Sequence, residues 1–201
     1  RVANDFNGDG KADAVLYDQS VGNWYIRCRG PVHFGAFEGG DIAVQGDYYG
    51  DGVTDLAVFS PVGANPDPNR GGKWWVDGAW GPVQWPAQPG DIPVPADYNG
   101  DGRTDPALYR PSTSSWLFAP EGTWVKFGAP GAIPVPGDYS GDGVAELSYY
   151  VPAFSAWYVA YGFNIAAPTI SWFGGPNMIP TPGAFDGGTT APAFCTAVTR
   201  P

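Results

Sequence analysis

An acidic, glycine-bearing nine-residue segment occurs four times in this chain: DFNGDGKAD from Asp5, DYYGDGVTD from Asp47, DYNGDGRTD from Asp97 and DYSGDGVAE from Asp138. A fifth, eroded copy, GAFDGGTTA, starts at Gly183. Oxygen-bearing side chains at alternate positions of a tight turn are what a hard divalent cation requires. Calcium takes roughly six to eight oxygen ligands at about 2.3–2.6 Å, and carboxylates supply both the oxygens and the charge. Recurrence at a near-constant period is also the mark of an array architecture. The same segment therefore constrains both the fold and the chemistry.

Within each segment, positions 1, 3, 5 and 9 offer side chains and position 7 offers a backbone carbonyl. The predicted ligand sets are Asp5, Asn7, Asp9, Lys11 and Asp13 in the first loop and Asp47, Tyr49, Asp51, Val53 and Asp55 in the second. They are Asp97, Asn99, Asp101, Arg103 and Asp105 in the third, and Asp138, Ser140, Asp142, Val144 and Glu146 in the fourth. Lys11, Val53, Arg103 and Val144 enter through their carbonyls alone. Glycines at positions 4 and 6 permit the positive φ of a sharp turn. An EF-hand needs a bidentate Glu at position 12, where this chain has Leu16, Val58, Leu108 or Tyr149. The acid at position 9 is expected to close the site instead. The first and third sets are complete and are predicted to bind most strongly. Tyr49 is a poor ligand that water is expected to replace, Ser140 and Glu146 are usable, and the fifth copy offers only Asp186 and is expected to bind nothing. The competing reading is a set of Asx-rich turns without metal.

The net charge fits the metal reading. The chain carries 20 acids against 10 Lys and Arg, a net −10, and 12 of the acids lie in the four loops. Four calcium ions would bring it to about −2. No basic stripe exists to contact phosphates, so nucleic acid is not expected as a partner. Gly and Pro make up 52 of 201 residues, yet aromatics reach 15%, whereas disordered chains are poor in them. Many short strands joined by tight turns reconcile the two. No apolar run approaches the 18 or so residues of a membrane span. The chain opens at Arg1 without Met, as a processed chain or an excised fragment would. It has no N-x-S/T sequon.

Aligned on the first loop position, Asp5, Asp47, Asp97, Asp138 and Ala184 are spaced by 42, 50, 41 and 46 residues, the range of a four-stranded propeller blade. Each unit shows one order of signals. An apolar entry (RVAN, DIAVQG, DIPVPA, AIPVPG, MIPTPG) leads into the loop. A β-rich run follows (ADAVLY, DLAVF, DPALY, ELSYY, APAFC), then a Trp-centred run (NWYIRC, KWWVDG, SWLFAP, AWYVAYG), then a closing run (PVHFG, GPVQW, TWVKFG, TISWFG). This predicts an all-β chain, a single β-propeller domain over residues 1–201 of about five blades. The repeats run approximately over 1–41, 42–91, 92–132, 133–178 and 179–201, the last incomplete, with the loops between the first and second strands. Proline in IPVP is tolerable on an innermost strand paired on one side only. Blades that pack on both faces need no alternation, which accounts for Trp24-Tyr25, Trp74-Trp75, Trp116-Leu117 and Trp157-Tyr158. Cys195 aligns with Tyr17, Phe59, Tyr109 and Tyr149 on the second strand, and Cys28 lies on the third strand of the first repeat. A Cys28–Cys195 disulfide would staple the ring shut, worth on the order of 4–5 kcal/mol in the entropic account; two unrelated buried thiols are the alternative.

These loops, together with FG at Phe34-Gly35, Phe127-Gly128 and Phe173-Gly174, make the chain resemble the FG-GAP (VCBS) repeat family over essentially its whole length. That family includes the calcium-loop β-propeller of the integrin α-subunit. The resemblance implies calcium held between the first two strands of each blade and an extracellular or cell-surface role in adhesion or recognition. Some relatives resemble lectins. The chain departs from integrins in blade number, five for seven, and in its short last repeat.

Catalysis is not expected. His33 is the only histidine and lies in a strand, as a packed or edge residue. Asp41 and Asp91 precede inner strands and are expected to cap turns. A non-catalytic recognition module comes first, with a carbohydrate or protein ligand. Its outlier is the insert VGANPDPNRGG, residues 62–72, beside Trp74, Trp75 and Trp80, whose rings are expected either to stack on a sugar or to belong to the core. The alternative is a calcium-stabilised subunit that assembles with copies of itself into an extracellular filament or surface layer through the unpaired edge of its last repeat.

Overall fold

Short apolar runs punctuated by Gly, Pro, Asn and Asp can form strands of two to five residues and little else, and the computed structural model is built from them. It describes residues 3–27, 29–35, 40–64, 69, 71–78, 82–118, 122–175 and 177–180. The first sheet holds β1 (Val15–Asp18), β2 (Asn23–Ile26) and β3 (Val32–His33). The second holds β4 (Ile42–Ala43), β5 (Ala57–Ser60), β6 (Lys73–Val76) and β7 (Val83–Gln84). The third holds β8 (Ile92–Pro93), β9 (Ala107–Arg110), β10 (Ser115–Phe118) and β11 (Thr123–Lys126). The fourth holds β12 (Ile133–Pro134), β13 (Leu147–Val151), β14 (Ala156–Ala160) and β15 (Thr169–Trp172). Each is an antiparallel meander in chain order, and none is closed. The chain is all-β, with two 3₁₀ turns at Pro152–Phe154 and Tyr161–Phe163. Cys28, Trp80, Asp186 and Cys195, with the fifth loop copy, lie outside the described residues.

β8 and β12 sit at sheet edges, where Pro93 and Pro134 lose no ladder bond on their free side. Register corrects one alignment. Ile42, Ile92 and Ile133 pair with Phe59, Tyr109 and Tyr150, so Tyr150, not Tyr149, is the counterpart of Tyr17, Phe59 and Tyr109. Tyr149 faces the other way and stacks on Tyr158 at 4.7 Å and 11°. The period of 2 in a strand makes a one-residue slip a change of face.

β5, β9 and β13 are buried at every position, because consecutive sheets pack face to face. Trp24 and Ile26 of the first sheet cluster with Val58 of the second. Phe59, Trp74 and Trp85 of the second cluster with Leu108 and Leu117 of the third. Tyr109, Trp116 and Phe127 of the third cluster with Leu147 and Tyr149 of the fourth. In the first sheet the corresponding outward pair, Leu16 opposite Tyr25, is 74% and 46% exposed. There Trp24-Tyr25 does alternate, with Trp24 buried and Tyr25 exposed.

The FG dipeptides have a physical reason. The indole N–H groups of Trp24, Trp116 and Trp157 donate to the carbonyls of Phe34, Phe127 and Phe173 at 2.9, 2.6 and 3.0 Å. The following glycine lies against the tyrosine of the second strand: a Cβ on Gly128 would stand 2.5 Å from the Tyr109 hydroxyl, and one on Gly174 2.5 Å from that of Tyr150. In the second sheet Trp85-Pro86 stands in place of FG, the Trp85 carbonyl accepts from Gln84, and the buried Trp74 indole N–H has no hydrogen bond of normal geometry. Gly128→Ala is therefore expected to destabilise the fold by about 1–3 kcal/mol. The Tyr109 hydroxyl, close to Ser114, makes no hydrogen bond of normal geometry. Adding Tyr109→Phe should accordingly recover most of the loss in urea unfolding, and a double variant as unstable as the single one would refute the contact.

Candidate metal-binding loops

The second, third and fourth acidic loops join the first strand of a sheet to the second (β4 to β5, β8 to β9, β12 to β13), whereas the first leads into β1 of a three-stranded sheet; all four share one network. The position 1 carboxylate folds back onto the turn. Asp5 accepts from Gly8 and Gly10 N–H at 2.7 and 2.8 Å, Asp47 from Gly50 and Gly52 at 2.6 and 2.9 Å, Asp97 from Gly100 and Gly102 at 2.7 and 2.8 Å, and Asp138 from Gly141 and Gly143 at 2.6 and 2.9 Å. These donors are reachable because the glycines at positions 4 and 6 have φ between 75° and 91°. The position 5 carboxylates of Asp9, Asp51, Asp101 and Asp142 accept from the N–H of Lys11, Val53, Arg103 and Val144 at 2.8–3.0 Å. The position 9 acids Asp13, Asp55, Asp105 and Glu146 accept from the N–H of Phe6, Tyr48, Tyr98 and Tyr139 at 2.9, 2.7, 2.9 and 2.6 Å.

The loops differ at position 3. The Asn7 and Asn99 side chains donate to the second oxygen of Asp13 and Asp105, both at 3.1 Å. Tyr49 turns out of the cluster and donates its hydroxyl to the Asp77 carbonyl at 2.8 Å. Ser140 lies 3.4 Å from an Asp138 oxygen. In the fourth loop, ligand oxygens of Asp138, Asp142 and Glu146 all lie within 4.8 Å of one another, and among the described residues it is the one group of three acids so drawn together. Two ligands of one calcium are separated by at most about 5 Å, twice the bond length, so this donor set fits the ion. The acids alone thus converge most in the fourth loop. Glutamate is one methylene longer, and no asparagine amide occupies its free oxygen.

Charge crowding accompanies this geometry. Burial, with the neighbouring position 1 and 5 carboxylates adding to it, pushes the Asp55 and Asp105 carboxyls up, and burial with Asp142 does the same to Glu146. Asp5 goes the other way: burial would raise it, but backbone N–H groups of Gly10, Gly8, Asp9 and Asn7 together outweigh that and hold it below the usual carboxylate range. The loops therefore keep a fixed anionic anchor at position 1 in the first repeat and, at position 9 of the later ones, an acid whose charge burial and its neighbours disfavour.

Other sequence-predicted residues take structural places. Asp41 is fully buried and accepts from the Ser60 hydroxyl at 2.7 Å. Asp91 caps its turn through Gln88 N–H at 2.8 Å and also binds Arg110. His33 is exposed at a sheet edge, its Nδ1 3.1 Å from the Asn23 side-chain oxygen. Trp74 is core and Trp75 is half-buried against the first sheet. A cleft of about 390 Å³ opens between the second and third sheets, floored by Trp85, Pro86 and Leu117 and rimmed by Asn99, Asp101 and Arg103. No sequence signal marked it, because it joins residues of two repeats. No helix of the described residues is long and apolar enough to cross a membrane. Comparison with known proteins matches the chain to no family model, no curated relative and no solved structure.

Proposed function

We propose that this chain is a calcium-stabilised recognition module: a β-propeller of the FG-GAP (VCBS) kind with about five blades, working outside the cell and without catalysis. The observation that carries this reading is the loop network repeated in four sheets, with Asp138, Asp142 and Glu146 drawn together. The site holds only hard oxygen donors, the class calcium takes. In the ion's presence Asp138, Asp142 and Glu146 would hold it, with the Val144 carbonyl and Ser140 beside them, and the ion would neutralise the crowded carboxylates. Its role is structural, since three of the loops tie the first and second strands of their sheets and the first leads into β1. The rigid frame then displays clefts such as that beside Trp85 and the loops at the strand ends, where recognition residues concentrate, for a carbohydrate or protein ligand.

Elemental analysis of the protein dialysed against calcium and then against buffer tests the first half; less than one calcium per chain would sink it. A glycan array with the calcium-loaded protein tests the second, and an empty array would leave a protein ligand as the class to pursue. A second reading, a subunit assembling with its own copies, is favoured by the exposed Leu16–Tyr25 pair, whose counterparts Leu108 and Leu117 are fully buried between sheets. Light scattering decides it: particles much heavier than 21.2 kDa that dissolve on Leu16→Asp support assembly, and a monomer under all calcium conditions removes it.

A further inference from the structure

The acidic loops are not independent of one another. In three successive pairs, the backbone N–H at position 8 of one loop donates to the carbonyl of the position 1 acid of the loop before it. Thr54 donates to Asp5, Thr104 to Asp47 and Ala145 to Asp97, each at 2.7 Å. The side chain at position 7 follows the same rule. A Cβ on Gly8 would meet Val53 at 3.3 Å, one on Gly50 would meet Arg103 at 2.9 Å, and one on Gly100 would meet Val144 at 2.8 Å. The glycine touched is always position 4, the residue whose N–H holds the position 1 carboxylate. Each position 1 acid is thus fixed at both ends: its carboxylate by its own turn, its carbonyl by the next loop.

From this we infer that residues 7 and 8 of each loop are positioning residues for the ligands of the preceding loop, so that the sites form one coupled row and bind metal cooperatively. The inference rests on the calcium reading above and adds that ordering one loop favours its neighbours. A loop closed on an ion holds its own position 7 carbonyl and position 8 N–H in place, and that same N–H clamps the acid before it. Binding at one site then lowers the ordering needed at the next, which is a coupling free energy and acts equally in both directions. The row gives each inner loop two neighbours and each end loop one. The second loop, which lacks a ligand at Tyr49, is flanked by Asp5 and by Thr104 and depends most on them.

Calorimetric titration of calcium into the full chain and three variants tests this. Asp101→Ala removes a side chain whose one hydrogen bond is to Arg103 N–H within its own loop. It should abolish one equivalent and also weaken the remaining sites by at least about fivefold, the lower end of typical coupling. Asp9→Ala, in the end loop, should weaken fewer sites. Val144→Gly keeps every ligand of the fourth loop but removes its contact with Gly100, and should weaken binding while leaving the number of equivalents unchanged. Hydrogen exchange in the calcium-loaded protein gives a readout apart from affinity: Asp101→Ala should speed exchange at the Ala145 amide, outside the altered loop. If Asp101→Ala removes one equivalent and leaves the other affinities and the Ala145 amide unchanged, the coupling is refuted while the calcium reading stands. If the unaltered chain takes up no calcium, the reading falls and the coupled row with it.

Discussion

Removing calcium is expected to lower the melting temperature by on the order of 15–30 °C. A ligand that binds only the native state stabilises it by about 2.7 kcal/mol when its concentration is 100 times its dissociation constant. Three such sites would contribute roughly 8 kcal/mol, a large share of the 5–15 kcal/mol by which domains are ordinarily stable. For a chain of this size each kcal/mol moves the midpoint by about 2–4 °C. The sign follows from the crowded acids. With the ion gone, Asp55, Asp105 and Glu146 retain raised native pKa values, first through burial. Each of these groups favours the metal-free fold at low pH, and that contribution is lost as pH rises from the ordinary carboxylate value through the raised native one. The effect of chelator should therefore be greater at pH 7 than near pH 4. Magnesium should replace calcium poorly, since it demands octahedral geometry at about 2.0–2.1 Å. Thermal unfolding with calcium, magnesium and chelator reads all of this. A difference below about 2 °C between calcium and chelator would mean that the loops are self-sufficient Asx turns.

Much of the fold was legible because its signals are local. The runs DLAVF, DPALY and ELSYY hold all but the last residue of the central strands β5, β9 and β13, and the Trp-centred runs contain β2, β6, β10 and β14. The loops were legible for the same reason: a carboxylate at position 1 reaching glycine N–H groups at positions 4 and 6 needs nothing outside nine residues. Relations between repeats were not legible. The Thr104 N–H bond to Asp47 spans a whole repeat, and no property of threonine announces it. The slip at Tyr149 has the same origin, since two adjacent tyrosines read alike until Ile133 pairs with one of them. Ligand completeness ranks the first and third loops highest, but it does not register how closely the acids alone converge, which is a matter of geometry. Arg110 was missed altogether. It follows a strand run that looks complete at Tyr109, and its partner lies 19 residues earlier.

That arginine carries the largest single-residue effect expected outside the acidic loops. Asp91 and Arg110 are 6% and 9% exposed, and their side chains meet through two parallel bonds, Nε to one oxygen at 2.9 Å and NH2 to the other at 2.8 Å. The same guanidinium donates to the Pro86 carbonyl at 2.9 Å and lies 4.4 Å from the Trp124 ring centre. It thereby joins the segment leaving β7 to both edges of the third sheet. The hydrogen bond and charge of Asp91 hold it protonated, its pKa raised further. In the second sheet the equivalent buried carboxylate, Asp41, accepts from the Ser60 hydroxyl at 2.7 Å. At either position a buried carboxylate needs a donor. Arg110→Met should therefore destabilise by about 3–5 kcal/mol, mostly by leaving the Asp91 charge without its partner. Arg110→Ser should cost less than Arg110→Met if a hydroxyl can reach Asp91 as Ser60 reaches Asp41. Asp91→Asn combined with Arg110→Met should recover part of the loss, since the isolated charge is gone and the Gln88 N–H still has an acceptor. Urea unfolding of the four variants, Asp91→Asn alone included, gives the coupling directly. If Arg110→Met loses less than about 1 kcal/mol, the pair is solvated and contributes no more than a surface salt bridge.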